Sequence, residues 1–529
     1  MSTILSAETL NDFIAPSVAC IKPVETLPAA PSSSELAVGV EGDATVPDTR
    51  TAAQISLTDC LACSGCVTSS EAVLVSMQSH NEVLSALEQF PEKTFVALLS
   101  PQSRAALAVA LQASEAEVAN MVSALLTQAL GGKMFEIVVD TNPFRQLSHH
   151  YAAEEVVEAI DDPERKRPIL TSSCPGFICY LESTHPVLIP HLSTLKSPQA
   201  IAGTFLKALM IGEGRVKSPE DIYTVSIMPC FDKKLEGARG ELISSAWRSD
   251  SAETPVRDID CVITTRELLS LAEAKGVDFS TLPRSTQPTP TLSCNATIQR
   301  FLTTPATNGP IDSGTSGGTL VSILSTLLSY HLGATLHVQQ GRNIDTRDYL
   351  ILSPTGETIA KLSRCYGFRN IQNLVRRLKP SSTRVLPTFG GRKPPTTPAA
   401  ARRVSKRPGA GDDKMVYVEV MACPGGCTNG GGQIKWDDEA IWKQLGLGQP
   451  ASQRELLARV DEAYYSSSEG GDEKEVGGVR EVVDVFTRIT GVREELLLRT
   501  GYRKVANDIG NRLDEKEVLE LASRTGGGW

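Results

Sequence analysis

Short apolar runs alternate with helix-like segments along most of the chain. Six runs of four to seven residues predict buried strands, at 94–100, 135–140, 168–171, 223–228, 261–264 and 415–421. Helical periodicity covers residues 105–130, which are followed by Gly131 and Gly132, and residues 319–331. Strands that alternate with helices indicate an α/β fold built on a mostly parallel sheet.

A chain of 529 residues is longer than one hydrophobic core normally supports, so we expect several domains. The predicted units are residues 1–90, a cysteine-bearing segment; 91–255 and 256–450, two lobes that carry the strands; and 451–529, a small helical region. Three stretches rich in Pro, Gly, Ser or charged residues lack periodicity and predict linkers or disorder, at 28–54, 380–412 and 466–475.

Composition and charge narrow the compartment and the class of partner. The formal net charge of −10 argues against a general nucleic-acid binder, and no apolar run approaches the ~20 residues of a membrane span. Residues 1–12 resemble neither a secretory leader nor a mitochondrial transit peptide. We therefore expect a cytosolic protein, with the nucleus as a second compartment. Clustered cysteines in that reducing environment more often bind metal than form disulfides.

Three cysteines lie close together near the N-terminus, as Cys60-x2-Cys63-x2-Cys66. This spacing matches the start of the cysteine runs that hold clusters in bacterial ferredoxins. A fourth ligand must come from elsewhere, and Cys20 is the only other cysteine in this segment. A zinc site is the alternative, but zinc sites usually pair two separated Cys-x2-Cys units or include histidine. The spacing therefore favours an iron–sulfur cluster.

A second group of cysteines follows predicted strands. Cys174, Cys230 and Cys423 each come just after an apolar run, and Cys427 follows Cys423 across a Pro-Gly-Gly sequence. The carboxyl ends of strands in an open α/β sheet form its ligand-binding crevice, so thiolates placed there can converge on one site. The glycines inside and after this pair, Gly425, Gly426 and Gly430–Gly432, allow close approach of the backbone to a bulky cofactor.

Three segments then resemble the active-site signatures of the iron-only hydrogenases: 171–177 (TSSCPGF), 228–236 (MPCFDKKLE) and 419–433 (EVMACPGGCTNGGGQ). The resemblance extends over roughly residues 55–445. It implies an iron-only hydrogenase-like fold of two parallel-sheet lobes with an N-terminal ferredoxin-like segment. It also implies a 4Fe–4S cluster held by Cys174, Cys230, Cys423 and Cys427, with extra iron next to Cys427 as an open question.

One departure from the signatures changes the expected function. Where the hydrogenases have a cysteine that relays protons, this chain has Ser173, whose hydroxyl is a poor relay near neutral pH. The chain is most similar to the non-hydrogenase branch, the Nar-type cytosolic iron–sulfur assembly factors, and segments 11–25 and 366–375 resemble that branch too. The similarity implies a non-enzymatic carrier, while a hydrogenase or electron-transfer enzyme stays the alternative.

Resemblance to the non-hydrogenase branch implies further cluster ligands and binding partners. Cys20 would complete a second 4Fe–4S cluster with Cys60, Cys63 and Cys66. Such proteins help to deliver clusters to cytosolic and nuclear apoproteins, and a C-terminal aromatic residue, here Trp529, docks on the targeting complex. Neither nucleic acid nor a membrane is expected as a direct partner.

The remaining candidates have simpler interpretations. Four cysteines outside the motifs are expected to be buried structural residues: Cys179, Cys261, Cys294 and Cys365. Lys233 and Glu236 are either an exposed ion pair or a pair beside the cluster. The sequence 314–318 (GTSGG) matches a hydrolase nucleophile motif, but no strand precedes it, so we expect a loop close to the cluster. His149 and His150 are expected at the surface or at a helix cap.

Overall fold

The structure is a computed structural model that describes residues 77–162, 164–248, 255–285, 291–303, 308, 313–379, 414–445, 448–466 and 478–504. The predicted outer-cluster ligands Cys20, Cys60, Cys63 and Cys66, the docking residue Trp529 and the predicted linkers 28–54 and 380–412 lie outside these ranges. So do residues 467–475 of the predicted disordered stretch.

Nine strands lie in the described part of the chain. They are β1 Thr94–Leu99, β2 Ile137–Asp140, β3 Ile169–Thr171, β4 Ile222–Met228, β5 Cys261–Thr264, β6 Thr335–Gln340, β7 Thr346–Leu352, β8 Thr358–Tyr366 and β9 Met415–Met421. All six strands predicted from apolar runs are confirmed to within two residues at each end. Strands β1, β4, β5 and β9 are buried along nearly all of their length, which is why their sequences are mostly apolar, whereas β2 alternates between buried and partly exposed residues.

The strands form two sheets. The first has four parallel strands in the order β2-β1-β4-β5, and the second has five in the order β3-β9-β8-β7-β6. In the second sheet β3, β9 and β8 are parallel, whereas β8, β7 and β6 are antiparallel to one another. The sequence did not predict β6, β7 and β8, because polar residues interrupt each of them and β6 is exposed throughout.

Fifteen α-helices accompany the strands in the described ranges. They are α1 His80–Gln89, α2 Pro101–Leu111, α3 Glu115–Ala124, α4 Asn142–Asp161, α5 Pro175–Thr184, α6 Pro198–Gly212, α7 Asp232–Gly237, α8 Thr265–Ala274, α9 Ala296–Thr303, α10 Thr319–Tyr330, α11 Phe368–Leu378, α12 Glu439–Gln444, α13 Gln453–Ser466, α14 Val479–Thr490 and α15 Glu494–Leu498. None of the helices in these ranges is long and apolar enough to cross a membrane.

The helical segment predicted at residues 105–130 is in fact two helices, α2 and α3, followed by a π-helical turn. Gln112 ends α2 in the left-handed conformation, at φ 47°. Ser114 then caps α3 by accepting a hydrogen bond from the Glu117 N–H, and the Glu117 carboxylate accepts one from the Ser114 N–H. This reciprocal cap restarts the helix, so the apolar periodicity continues through a break in the backbone.

The sheets do not follow the predicted boundary between lobes at residue 255. Strand β3, from the predicted first lobe, lies in the second sheet, and β5, from the predicted second lobe, lies in the first. Strand pairing decides this arrangement, and a sequence pattern does not say which strands will be neighbours.

The helices after residue 450 pack into the cores of the sheets. Leu456, Val460 and Tyr464 of α13 belong to the apolar core around β1, β4 and β5. Val482 and Phe486 of α14 belong to a second core, which covers the opposite face of the same sheet. The helical character predicted for this region is observed, and its described part shares its core with the rest of the chain.

Candidate metal centre

Cys174 and Cys423 lie at the same edge of the second sheet. Cys174 follows β3 and is the N-cap residue of α5, and Cys423 follows β9. The two strands are parallel neighbours, with Thr171 opposite Glu419, so their carboxyl ends deliver both thiols to one side. The Ser172 hydroxyl stabilises this edge, because it donates to the Val420 carbonyl at 2.6 Å and accepts from the Cys174 N–H at 3.1 Å.

Cys230 reaches the same place from the first sheet. It follows β4 and precedes α7. The loop after Cys427 lies against it, since the Gly432 N–H donates to the carbonyl of Pro229 at 2.9 Å. The Arg266 N–H of α8 donates to the Gly432 carbonyl in turn. The carboxyl edges of the two sheets therefore meet at this loop.

Cys427 begins a 3₁₀ turn, Cys427–Asn429. Its N–H donates to Ser316 Oγ at 3.1 Å, and the Ser316 hydroxyl also bonds to the Cys427 sulfur. The next residue, Thr428, donates to the Asp461 carboxylate of α13 at 2.6 Å and contacts Thr315 Oγ1 at 3.0 Å. The turn is thus hydrogen-bonded both to the GTSGG loop and to α13.

The four thiols lie close enough to affect one another's ionisation. Burial raises the pKa of Cys174 to about 12, with smaller contributions from Asp232 and Cys427. Burial raises the pKa of Cys230 and of Cys423 well above the usual value, and the other cysteines add to it in both cases. Thiols whose pKa values are raised in this way keep their protons until a metal binds, because a bound metal deprotonates a coordinating thiol.

This donor set fits an iron–sulfur cluster. Four thiols converge, and cysteine thiolates are the ligands of a 4Fe–4S cluster. No group of three or more His, Cys, Asp or Glu in the described ranges is arranged to hold a single metal ion. A cubane does not require such a group, because each thiolate binds a different iron. Cys174, Cys230, Cys423 and Cys427 would be the ligands.

Lys233 and Glu236 are not an exposed pair, which removes one of the two interpretations left open by the sequence. Their side chains are buried and form an ion pair at 2.9 Å. Glu236 also accepts from Ser197 Oγ at 2.9 Å and from Gln199 Nε2 at 3.0 Å. The charge of Lys233 opposes the rise in the pKa of both Cys230 and Cys427, so the pair lies beside the site.

Asp232 is a neighbour of the site that the sequence did not single out. Its carboxylate lies 4.0 Å from the Cys174 sulfur. Burial raises its pKa to about 6, against the opposing charge of Lys233. The residue stands inside the MPCFDKKLE signature, but no spacing rule marks it out.

Three glycines of the 419–433 segment, Gly426, Gly430 and Gly432, lie very close to neighbouring protein atoms. A Cβ at Gly426 would lie 2.2 Å from Thr315 Oγ1, and one at Gly430 would lie 2.3 Å from the Pro229 carbonyl oxygen. A Cβ at Gly432 would lie 2.5 Å from Thr264. The absence of a side chain at these positions lets the loop that carries Cys427 pack against the GTSGG loop, Pro229 and the end of β5.

The cysteines outside the motifs divide into two kinds. Cys261 and Cys365 are buried, as expected for structural residues, and Cys179 is partly buried. Cys294 is exposed, so the expectation of burial was wrong for it. It lies on the loop before α9, where its N–H donates to the Glu213 carboxylate at 3.0 Å.

The GTSGG loop lies beside the site, as expected, and α10 begins directly after it. His149 and His150 are both half-buried inside α4, so neither is at a helix cap; His149 Nε2 donates to the Gly317 carbonyl at 2.8 Å, and desolvation lowers the pKa of His149 to about 3. His150 is partly exposed and pairs with Glu154 at 3.2 Å. Sequence analysis missed the roles of Thr428 and Asp461, because a hydrogen bond between residues 33 apart leaves no periodic signal.

Comparison with known proteins gives the family. Residues 93–431 match the family described as iron only hydrogenase large subunit, C-terminal domain. The chain is 44% identical to the cytosolic Fe-S cluster assembly factor NAR1 of Sclerotinia sclerotiorum and to that of Botryotinia fuckeliana, and 45% identical to that of Aspergillus clavatus. Each of these alignments covers 100% of both chains.

Solved structures with a similar fold are [FeFe]-hydrogenases. HydA(deltaEFG) superposes with a TM-score of 0.55 at 22% identity, and apo HydA1 from Chlamydomonas reinhardtii with 0.54 at 23%. Both matches cover 80% of this chain and 99% of the hydrogenase. They confirm the predicted α/β, hydrogenase-like fold. With the full-length identity above, the chain belongs to the NAR1 family of cytosolic Fe–S cluster assembly factors, within the iron-only hydrogenase-like proteins.

Proposed function

We propose that this protein is a component of the cytosolic iron–sulfur protein assembly machinery, which binds two 4Fe–4S clusters and helps to transfer pre-assembled clusters to apoproteins. The observation that carries the proposal is the convergence of four thiols from the carboxyl edges of two sheets, of which Cys174 and Cys423 are buried and Cys230 and Cys427 partly buried. The role in cytosolic iron–sulfur assembly is proposed from the names of the relatives that align over the full length of the chain.

The inner site would hold one cluster through Cys174, Cys230, Cys423 and Cys427. A bound cluster supplies redox-active iron and a covalent link between the two sheets. The residues around it orient the ligands. Ser316 holds the backbone of Cys427, and the Gly432–Pro229 hydrogen bond holds the Cys427 loop against Cys230.

The outer cluster is proposed on the spacing of Cys60, Cys63 and Cys66, with Cys20 as the fourth ligand by family resemblance. Its position ahead of the hydrogenase-like domain suits a cluster that is more accessible to partners. Trp529 is proposed to contact the targeting complex. Client apoproteins in the cytosol, and also in the nucleus, would receive the clusters.

A carrier is favoured over a hydrogenase because Ser173 stands next to Cys174, in the place of a proton-relaying thiol. The test is dihydrogen evolution from dithionite-reduced methyl viologen by anaerobically purified protein. A carrier gives no turnover above buffer, and robust turnover would refute the carrier proposal.

Iron and acid-labile sulfide counting with EPR tests the clusters themselves. Two clusters predict about eight irons and eight sulfides per chain. Zinc without sulfide would refute both cluster assignments. In cells depleted of the native protein, the chain should restore the activity of a cytosolic iron–sulfur enzyme, and failure by a fully loaded protein would refute the assembly role alone.

A further inference from the structure

One short stretch of the surface has most of the exposed large apolar side chains. Eight such residues occur in the described ranges, and five of them lie between residues 330 and 344: Tyr330, Leu332, Leu336, Val338 and Ile344. Leu332 is 91% exposed and Tyr330 67%. A contiguous exposed apolar surface on a folded protein usually marks an interaction site.

The centre of this stretch is β6, the outermost strand of the second sheet. Among the described residues β6 pairs only with β7, and all six of its residues are exposed. Within the part of the chain that the structure describes, the backbone N–H and C=O groups of its other edge are therefore unpaired. Proteins usually protect such an edge with lysine, proline or an inward-pointing charge, and Thr335–Gln340 (TLHVQQ) has none of these.

The apolar side chains of β6 continue a face of the sheet that is buried elsewhere. Leu336 lies opposite Ile351 and Val338 opposite Tyr349. Ile351 and Tyr349 are buried in the core beneath α10, whereas Leu336 and Val338 are 41% and 47% exposed. The apolar face of the sheet thus continues onto β6, beyond the part that α10 covers. A further strand with apolar residues at alternate positions could pair with β6 and extend this face.

The lack of charge on β6 indicates what kind of strand can pair with its free edge. An uncharged edge strand can pair with its own copy in any register, because no register places like charges opposite each other across the two-fold axis. Residues 335–340 contain no charged residue, although the chain has a net charge of −10. The same six residues also supply the alternating apolar side chains that the edge requires. A second copy of β6 therefore matches this edge both in its lack of charge and in its alternating apolar residues.

We propose that the protein forms a two-fold symmetric dimer in which β6 pairs antiparallel with β6 of a second copy. The two five-stranded sheets would become one sheet of ten strands, with Leu336 and Val338 of both copies packed in its centre. Tyr330 and Leu332, at the end of α10, would flank the contact.

The proposed interface is separate from the candidate metal centre. The hairpin touches the ligand loop through its turn, where Asp345 accepts a hydrogen bond from the Gly425 N–H at 2.7 Å. The edge of β6 that would pair points away from β7, and β7 and β8 separate β6 from β9, the strand that leads to Cys423. Substitution of Leu336 and Val338 should therefore leave the iron content unchanged.

Sedimentation velocity of the iron-loaded full chain, from about 1 to 100 µM, tests the dimer. The sedimenting mass should rise with concentration from that of one chain to that of two. The double variant Leu336→Lys/Val338→Lys places charges opposite each other and should stay monomeric, at least tenfold weaker in self-association. The control is Val187→Lys, which replaces an apolar residue with 53% exposure outside the stretch and should dimerise like the wild type.

Three outcomes would overturn the proposal: a monomeric wild type at every concentration, a double variant that dimerises as strongly as the wild type, or loss of the dimer in Val187→Lys. Iron counting on the same samples shows whether a failure concerns the dimer proposal or the cluster proposal. A monomer with full iron contradicts only the dimer, whereas a dimer without iron contradicts only the cluster.

Discussion

The side-chain oxygen of Ser316 accepts a hydrogen bond from the backbone N–H of Cys427, and the Ser316 hydroxyl is also hydrogen-bonded to the sulfur of Cys427. The two residues are 111 positions apart, and the contact joins the loop before α10 to the turn that carries the last candidate ligand. The candidate centre therefore depends on residues that are not ligands, and its neighbours can be tested separately from the cysteines.

Replacing Cys423 by alanine should remove the inner cluster and destabilise the whole protein, because the two sheets lose their shared ligand set. Iron per chain should fall by about half, with a lower melting temperature. Cys63→Ala should also lower iron by about half but leave the melting temperature of the sheet domain near the wild-type value.

Cys365→Ala is the matched control for the inner ligand. Cys365 is also a buried cysteine next to a strand end, but it lies outside the converging group. It should keep all its iron. Wild-type iron content in both Cys423→Ala and Cys63→Ala would contradict the ligand assignment.

Gly430→Ala should disturb the inner site without changing any ligand. The added Cβ would lie 2.3 Å from the Pro229 carbonyl oxygen, next to Cys230. Overpacking of this kind costs about 1–3 kcal/mol, and it should separate the Cys427 loop from Cys230. Thermal unfolding and iron counting measure both effects. Gly448→Ala, which has open space around its Cβ, should match the wild type in both assays.

Ser316→Ala should leave the cysteines in place but weaken their support. Loss of a hydrogen bond to a ligand sulfur disfavours the reduced cluster, so its reduction potential should become more negative by on the order of 50 mV. An EPR-monitored redox titration measures the change. Ser329→Ala, on the exposed face of α10, serves as the control. Equal potentials in all three proteins would show that Ser316 does not act on the cluster.

Asp461 should make stability depend on pH. Burial raises its pKa from 3.8 to about 6, so the folded state binds the proton more tightly than the unfolded state. Its contribution to stability is therefore full below pH ~4 and declines as pH rises to ~6. Asp461→Asn keeps an acceptor for Thr428 and removes the charge. The variant should be more stable than the wild type above pH 6, with a flatter profile between pH 4 and 6.

Thermal unfolding of the two proteins across this range gives the comparison. Parallel profiles would show that Asp461 does not titrate there. Asp461→Ala removes both the charge and the hydrogen-bond acceptor, whereas Asp461→Asn removes only the charge. The alanine variant should therefore gain less stability than the asparagine variant, and the difference measures the hydrogen bond to Thr428.

Deletion of Trp529 should spare both clusters and weaken binding to the targeting complex. The expected result is unchanged iron content with at least a tenfold loss of affinity for the purified complex, measured by titration. Deletion with full affinity would remove this residue from the proposed interface. Replacing Trp529 by phenylalanine should restore part of the binding, because the proposed contact needs an aromatic ring.

The sequence by itself determined six of the strands. Six short runs that are mostly apolar became six strands, because strands that are largely buried contain few polar residues. It did not predict β6–β8, whose polar residues face solvent, and it joined α2 and α3, because a left-handed residue at Gln112 leaves the apolar periodicity intact. The break depends on backbone dihedrals and a cap, which periodicity does not record.

The same division holds for the candidate centre. The sequence placed Cys174, Cys230 and Cys423 after strands, and family resemblance joined them with Cys427. Only the tertiary structure brought two sheets together so that these thiols meet, and only it placed Ser316 and Asp461 around them. Strand ends follow from local sequence, whereas the pairing of strands and the contacts between distant loops depend on packing across the whole chain.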